Sequence, residues 1–140
     1  MAAYVMNPYA SQDLDISKEN SDRVGDFVSR AGDKPFTRQV DAWWVALLAG
    51  VSMNLRTELG SRRVKFNDGG ILASDPWRIT HLELLAVADE GVEVLQRPAQ
   101  VIRIATEYAN TGFDWLFEQL IGESEPALTL TNRLGDLTAE

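Results

Sequence analysis

The stretch AWWVALLAG, residues 42–50, decides the fold expected for this chain. It is apolar nearly all round at helical periodicity, and a helix of that kind is buried in the middle of a protein. Thr37 is the predicted N-cap, and Asp41 in the first turns suits the positive end of the helix dipole. The sequence therefore predicts a central helix over residues 38–49 that stops at Gly50.

Further helices are expected on both sides of this centre. Ser17 has the chemistry of an N-cap for a first helix, which is expected to end near Gly32. Two more helices are expected to begin at Pro76 and Pro98, because proline suits the first helical position. The second of these is expected to break or bend at residues 110–112 and then to continue as a last helical segment.

A short β-hairpin is expected between the second and third helices. The segment RRVKF, residues 62–66, alternates charged and apolar side chains, and NDGG at residues 67–70 is a strong turn signal. Residues 71–72 would then supply the returning strand. Because a lone hairpin is marginally stable, it must lie against the helices.

Length and composition place these elements in one domain. The chain has 140 residues, of which 45% are apolar and 24% charged, which is typical of a globular protein. The domain is expected to span residues 16–122, between a flexible N-terminal arm (1–15) and an acidic C-terminal tail (123–140). The predicted fold class is mainly α, a single domain of about five helical segments with one short β-hairpin.

Several kinds of chemistry are excluded by composition. Without cysteine there is no disulfide, thiol nucleophile or thiolate zinc site, and His81 is the one imidazole. No phosphate-loop, dinucleotide, zinc-protease or EF-hand pattern occurs. The first residues do not resemble a signal peptide, and the longest apolar run is too short for a membrane span. We therefore expect no cofactor, no metal, no membrane association and a cytoplasmic location.

The net charge of -8 is unevenly distributed. Residues 89–140 hold ten acidic and three basic side chains, whereas residues 56–88 hold four and five. Four basic residues lie close together around the predicted hairpin: Arg56, Arg62, Arg63 and Lys65. Such a hairpin could contact phosphates or an acidic partner surface, but charges on an edge strand also prevent aggregation. Both interpretations remain open.

Two adjacent tryptophans are a second candidate contact. Trp43 and Trp44 point about 100° apart on the central helix, so both need cover. One interpretation buries one ring and turns the other, assigned as Trp44, to a partner protein or a second copy of the chain. The alternative packs both rings inside.

Glu107 and Tyr108 could form a general acid/base pair, and a small hydrolase could be built on Glu107 and His81. The structural alternative, which we favour, places Tyr108 in the core and Glu107 on a helix surface or cap. No nucleophile or orienting acid can be named beside His81.

A resemblance to a known family rests on segments that follow one another in this order: KENSDRVGDFVSRAGDKPF (18–36), TRQVDAWWVALLAG (37–50), HLELLAVADEGVEVL (81–95) and IATEYANTGFDWL (104–116). Together they resemble the small Dnd-system-associated family of bacterial proteins, found beside DNA phosphorothioation and restriction genes. The matching positions are Asp41, Gly50, Gly91, Glu107, Tyr108, Ala109, Asn110 and Gly112. Thr111 departs from the glycine that the family tends to show, and Trp43 and Trp44 replace smaller apolar residues.

This resemblance implies an accessory protein of an anti-phage defence or DNA-modification locus, and it supplies no catalytic residue. The leading hypothesis is therefore a non-enzymatic interaction subunit that binds a larger ATPase or nuclease. One alternative is a DNA-binding accessory factor that uses the basic hairpin, and DNA could also be contacted within a complex. Another is an acidic antitoxin-like or DNA-mimicking inhibitor that uses residues 89–140. A homo-oligomer is compatible with each.

Overall fold

Five α-helices and one two-stranded sheet form the part of the chain that the computed structural model describes, residues 7–138. In chain order they are β1 (Asp13–Ser17), α1 (Lys18–Val24), α2 (Gln39–Ser52), β2 (Arg63–Asp68), α3 (Pro76–Glu90), α4 (Pro98–Leu120) and α5 (Pro126–Thr138). Short 3-10 helices, Gly69–Ser74 and Val92–Gln96, precede α3 and α4. The predicted mainly α fold in a single domain is confirmed. Within residues 7–138, no helix combines the length and apolarity that crossing a bilayer requires.

The crossing of α2 and α4 forms the centre of the fold. A Cβ atom on Gly50 would collide with the backbone carbonyl of Tyr108, and one on Gly112 would collide with that of Ala46. The two helix backbones therefore touch, and Trp43 is fully buried beside them. The buried central helix is confirmed, but Gly50 lies inside α2 and does not end it.

Helix α4 runs without interruption through residues 110–112, so the predicted break there is wrong. Asparagine and threonine usually favour turns because their side chains compete for nearby backbone groups. Here the Asn110 side chain instead donates to the backbone carbonyls of Thr57 and Glu58. Gly112 is the point at which α4 can approach α2 closely, and the helix continues past it.

The sheet pairs β2 with β1 in antiparallel register, with Ile16 opposite Val64. The predicted return strand at residues 71–72 is wrong, since these residues belong to the 3-10 helix Gly69–Ser74. The backbone N–H of Gly69 donates to the carbonyl of Gln12 at 2.7 Å, and a Cβ atom on Gly69 would collide with the carbonyl of Tyr9, so this glycine accommodates the crossing N-terminal segment. The short antiparallel sheet exists, but its second strand comes from a distant part of the chain.

The predicted ends of the domain also need correction. Tyr9 and Leu14 are 1% and 0% exposed and β1 begins at Asp13, so part of the predicted arm packs against the domain. Residues 1–6 of that predicted arm lie outside the described residues. Most of the predicted tail is helix α5, which buries Leu130 against the core, and residues 139–140 lie outside the described part.

Helix α1 begins as predicted and ends early. The Ser17 side-chain oxygen caps it by accepting a backbone N–H, but the last helical residue is Val24, well before Gly32. The chain beyond α1 is held by an isolated β-bridge between Val28 and Phe36. That bridge lies in the connection between α1 and α2.

Candidate functional site

An apolar groove of about 310 Å³ runs along the surface between α2 and α3. Its lining residues are Trp44, Leu47, Leu48, Val51, His81, Leu84 and Leu85. Leu48 is 51% exposed and Leu84 is 62% exposed, and Trp77 beside them is 49% exposed. Large apolar side chains that gather in one concave place mark an interaction site more often than single ones do. We therefore take this groove as the candidate functional site.

The two walls of the groove share one spacing. The stripe on α2 is Trp44, Leu48 and Val51, and the stripe on α3 is Trp77, His81 and Leu84. Steps of four and three residues align side chains in a single row along a helix, as at the seam of a coiled coil. The core side of α3 is a different set, Ile79, Leu82 and Ala86. The α3 stripe is thus left uncovered by the described residues.

Arg78 lies beneath the surface at one end of the groove, where it contacts both Trp44 and Trp77. Its guanidinium carbon lies 5.0 Å from the ring centroid of Trp44 and 4.7 Å from that of Trp77. Its Nη2 donates to Oδ1 of Asp41 at 3.0 Å, and its Nη1 to the carbonyl of Val40 at 3.3 Å. A buried guanidinium that lies against two indole rings is held by cation–π attraction as well as by its ion pair. Arg78 therefore ties α3 to α2 and locks both tryptophan rings.

Asp41, a position taken from the family resemblance, bridges two arginines in the first turn of α2. Burial raises the pKa of this carboxyl, but hydrogen bonds from Arg38 and Arg78 outweigh it, so the pKa lies below its ordinary value. The carboxylate is thus held ionised at the helix N-terminus, as its position predicted. Its role in the structure is to orient Arg78.

Both tryptophans are buried in the core, and Trp44 also lines the wall of the groove. Trp43 is 0% exposed, whereas Trp44 is 9% exposed and forms part of the groove wall. The Trp44 ring makes edge contacts with Trp77 and His81 at centroid distances of 5.2 and 6.2 Å. Contact of Trp44 with a partner stays a prediction, and its burial fits the alternative in which both rings pack inside.

Acidic side chains on β1 face the basic residues of β2. Arg63 lies 3.6 Å from Asp15, and Lys65 lies 3.5 Å from Asp13. Arg62, just before the strand, has no ion pair with any residue between 7 and 138. The neighbouring carboxylates offset most of the positive charge that the sequence pattern indicated, because the strand that pairs with β2 is β1.

Arg56 lies apart from the sheet, in the loop after α2. It pairs with Glu107 at 2.8 Å, with Glu90 at 3.2 Å and with Asp89 at 3.5 Å. Glu107 itself is only 7% exposed. Arg56 is therefore an internal counterion of three carboxylates and not part of a basic surface.

The EYANTG segment of α4 holds the loop after α2 in place. Asn110 Nδ2 donates to the carbonyls of Thr57 and Glu58 at 3.1 and 3.3 Å, and the Thr111 and Thr57 hydroxyls lie 2.7 Å apart. The Tyr108 hydroxyl donates to Asp89 at 2.7 Å. These contacts support the structural interpretation of this segment.

A general acid/base role has little support in this geometry. Burial, together with the bond to Asp89, raises the pKa of Tyr108 to about 12. Glu107 is engaged by Arg56, and His81 lies in the separate groove. Within residues 7–138, no group of three or more histidine, aspartate or glutamate side chains is arranged to hold a metal ion.

Comparison with known proteins finds no match, either to a protein family, to a curated protein or to a solved structure. The resemblance to the Dnd-associated family is therefore carried by its motif residues alone.

Sequence reasoning found Trp44 but missed Arg78, Leu48 and Leu84. One signal could have indicated the two leucines. A helix that is apolar nearly all round needs cover on every side, and the repeat of three- and four-residue steps in α2 and α3 predicts rows of apolar side chains. Which row stays open depends on the packing of the whole chain, and the sequence alone does not reveal it. Arg78 carries no local signal for its position between two indoles.

Proposed function

We propose that this chain is a non-enzymatic interaction subunit whose groove between α2 and α3 binds an amphipathic helix of a partner protein. The observation that carries the proposal is the pair of largely apolar rows that line one groove, with Leu48 on α2 and Leu84 on α3 more than half exposed. A helix that inserts side chains at steps of three and four residues would fit between two such rows.

The size of the groove favours a helix over a second copy of the chain. From Trp44 to Val51, or from Trp77 to Leu84, each row spans about 10 Å, or two helical turns. A stable dimer commonly buries about 800 Å² on each partner. A partner helix that inserts two or three apolar side chains along two turns buries far less area than that, so the groove fits a helix better than a second copy of the chain.

The rigidity of the groove is a second argument. Arg78 holds the rings of Trp44 and Trp77 between its ion pair with Asp41 and its contacts with both indoles. Binding therefore requires little ordering of these two rings, which lowers the side-chain entropy lost on association. A surface that is ordered in advance and left apolar suits a specific protein contact.

The class of partner comes from the sequence resemblance. We propose a larger cytoplasmic protein, an ATPase or nuclease, encoded with an anti-phage defence or DNA-modification system. The alternative of a DNA-binding accessory factor is less well supported, since Arg63 and Lys65 already face aspartates of β1.

The experiment compares two exposed leucines. Leu84→Asp places a charge in the groove, and Leu128→Asp places one on α5, where Leu128 is 56% exposed outside the groove. The tagged proteins are expressed in the native host, and the proteins that purify with each are quantified. We expect a partner that is retained by the wild type and by Leu128→Asp and lost with Leu84→Asp.

A photocrosslinking amino acid at position 48 identifies the partner segment. Peptide sequencing of the crosslinked product should return a segment with apolar residues at helical spacing. Equal recovery of the partner by both leucine variants, or a crosslink to an extended or polar segment, would contradict the proposal.

A further inference from the structure

Helices α2 and α3, which form the walls of the groove, point in the same direction. At their N-terminal ends, Asp41 of α2 pairs with Arg78 of α3 at 3.0 Å. At the other end, Arg56 in the loop after α2 pairs with Glu90 of α3 at 3.2 Å. The N-termini of both helices therefore lie at one end of the groove, and their dipoles reinforce each other there.

The groove consequently has one end that is more positive than the other. Two arginines and two aspartates pair with one another around the N-terminal ends: Arg38, Arg78, Asp41 and Asp75. Their charges balance, so the positive ends of the two dipoles decide the potential there. At the C-terminal ends, three carboxylates share Arg56 as a counterion, and the dipole ends are negative as well.

His81 is the one side chain among the described lining residues of the groove that can carry a charge. It is exposed in the second turn of α3, towards the more positive end. Its ring makes edge contacts with Trp44 and Trp77 at centroid distances of 6.2 and 5.9 Å. It forms no hydrogen bond or ion pair with any residue from 7 to 138, so its ring nitrogens are left to solvent.

A helix that covers the groove also covers this imidazole. Leu48, Leu84 and His81 line the same groove, so contact with the two leucines removes water from the histidine. Burying a polar N–H without a partner destabilises a complex. Of the charged groups nearby, Arg78 of α3 is a donor only, and Asp41 of α2 is already engaged by two arginines. The acceptor for His81 must therefore come from the bound helix.

We propose that the helix bound in this groove carries a carboxylate side chain, aspartate or glutamate, opposite His81. The inference rests on the proposed function, because it names the chemistry of the partner that the groove would bind. A carboxylate accepts the N–H of a neutral imidazole and forms an ion pair with a protonated one. An amide would also accept that N–H, but it would gain nothing from the positive ends of the two helices.

The experiment selects helical peptides that bind the full chain. A displayed peptide library keeps leucine at steps of three and four residues and varies the other positions among glutamate, glutamine, lysine and alanine. Peptides that also bind the Leu84→Asp variant are removed, so that those retained need the groove. We expect the retained peptides to share one glutamate at a fixed place relative to the leucines.

Two charge substitutions on α3 provide the matched comparison. His81→Asp reverses the charge in the groove, and Thr80→Asp places the same charge on a neighbouring exposed residue that does not line it. Selection against His81→Asp should replace the shared glutamate by lysine, whereas selection against Thr80→Asp should retain it. An equal change with both variants would reduce the preference to the general charge of the chain and overturn the proposal.

The pH dependence of one selected peptide separates a carboxylate from a neutral partner. A histidine ordinarily gains a proton between about pH 8 and pH 5. Lowering the pH across that range should tighten binding of the glutamate peptide about threefold or more, as expected for an ion pair. The glutamine version should weaken, because a charged ring would be buried without a counterion. With His81→Gln both changes should disappear, and weakening of the glutamate peptide on the wild type would contradict the proposal.

The outcomes separate this proposal from the proposed function. Peptides that need Leu84 but show no preference for glutamate would overturn the carboxylate partner and leave the groove as a binding site. If no peptide needs Leu84, the proposed function and this inference both fail. Sedimentation of the chain alone tests a further occupant. Self-association that Leu84→Asp abolishes would make a second copy of the chain the occupant and overturn the proposal.

Discussion

Helix α2 presents one closed face and one open face. Towards α4 its backbone is in direct contact at Gly50, and near that crossing the side chains of Glu107 and Asn110 are hydrogen-bonded. Towards α3 it offers Leu48 and one side of Trp44 to a groove. The comparison indicates that the fold is held together mainly on the first face, whereas the second leaves a large apolar side chain exposed. Substitutions on the closed face should therefore have the largest effects on unfolding.

The largest effect is expected at the helix crossing. Gly112→Ala places a methyl group against the backbone of Ala46, so the two helices must separate. We expect a loss of about 3 kcal/mol or more in the free energy of unfolding, measured by urea titration.

Gly135→Ala is the matched control, because Gly135 lies in α5 with open space where a Cβ would stand. That change should stabilise the protein by about 0.5–1 kcal/mol, the difference in helix propensity. If Gly112→Ala and Gly135→Ala change the free energy of unfolding equally, the backbones of α2 and α4 are not packed as closely as the structure indicates.

A smaller effect is expected at Glu107, which two arginines approach from different sides. Arg56 has a side chain 28% exposed and lies 2.8 Å from Glu107, whereas Arg103 is 60% exposed and lies 3.2 Å away. Arg56→Gln should cost about 2 kcal/mol in the free energy of unfolding, since it leaves a buried carboxylate underpaired. Arg103→Gln should cost less than about 1 kcal/mol, as a surface ion pair does. Equal losses would mean that burial does not distinguish the two pairs.

The helices were predictable because their signals are local. Pro76 and Pro98 start α3 and α4, Ser17 caps α1, and the apolar run of residues 42–50 predicts a largely buried helix. The same reasoning misjudged residues 110–112, where local turn preference is overcome by hydrogen bonds to the loop after α2 and by the contact with α2.

Pairing between distant segments was not predictable in the same way. The strand Arg63–Asp68 carries a clear alternating pattern, but nothing in it specifies Asp13–Ser17 as its partner. That one pairing brings aspartates beside Arg63 and Lys65, and it changes both the sheet and the charge of the predicted basic patch. For the same reason Trp44 could be singled out from the sequence, whereas the openness of Leu48 and Leu84 could not.

The smallest effect at neutral pH is expected at Tyr108 of α4, whose hydroxyl donates a hydrogen bond to Asp89 of α3. Tyr108→Phe should cost about 1 kcal/mol, the contribution of one hydrogen bond. The pKa of Tyr108 is raised from 10.0 to about 12, so the hydroxyl contributes stability below pH 10 that is lost as the pH rises towards 12. In that range the unfolded chain has released the proton and the folded one has not, so stability falls with pH. Urea titrations between pH 7 and 12 should show the wild type and Tyr108→Phe converging as the pH rises. If the two stability curves stay parallel from pH 7 to 12, the Tyr108 hydroxyl titrates as it does in the unfolded chain. Its contact with Asp89 would then be open to solvent.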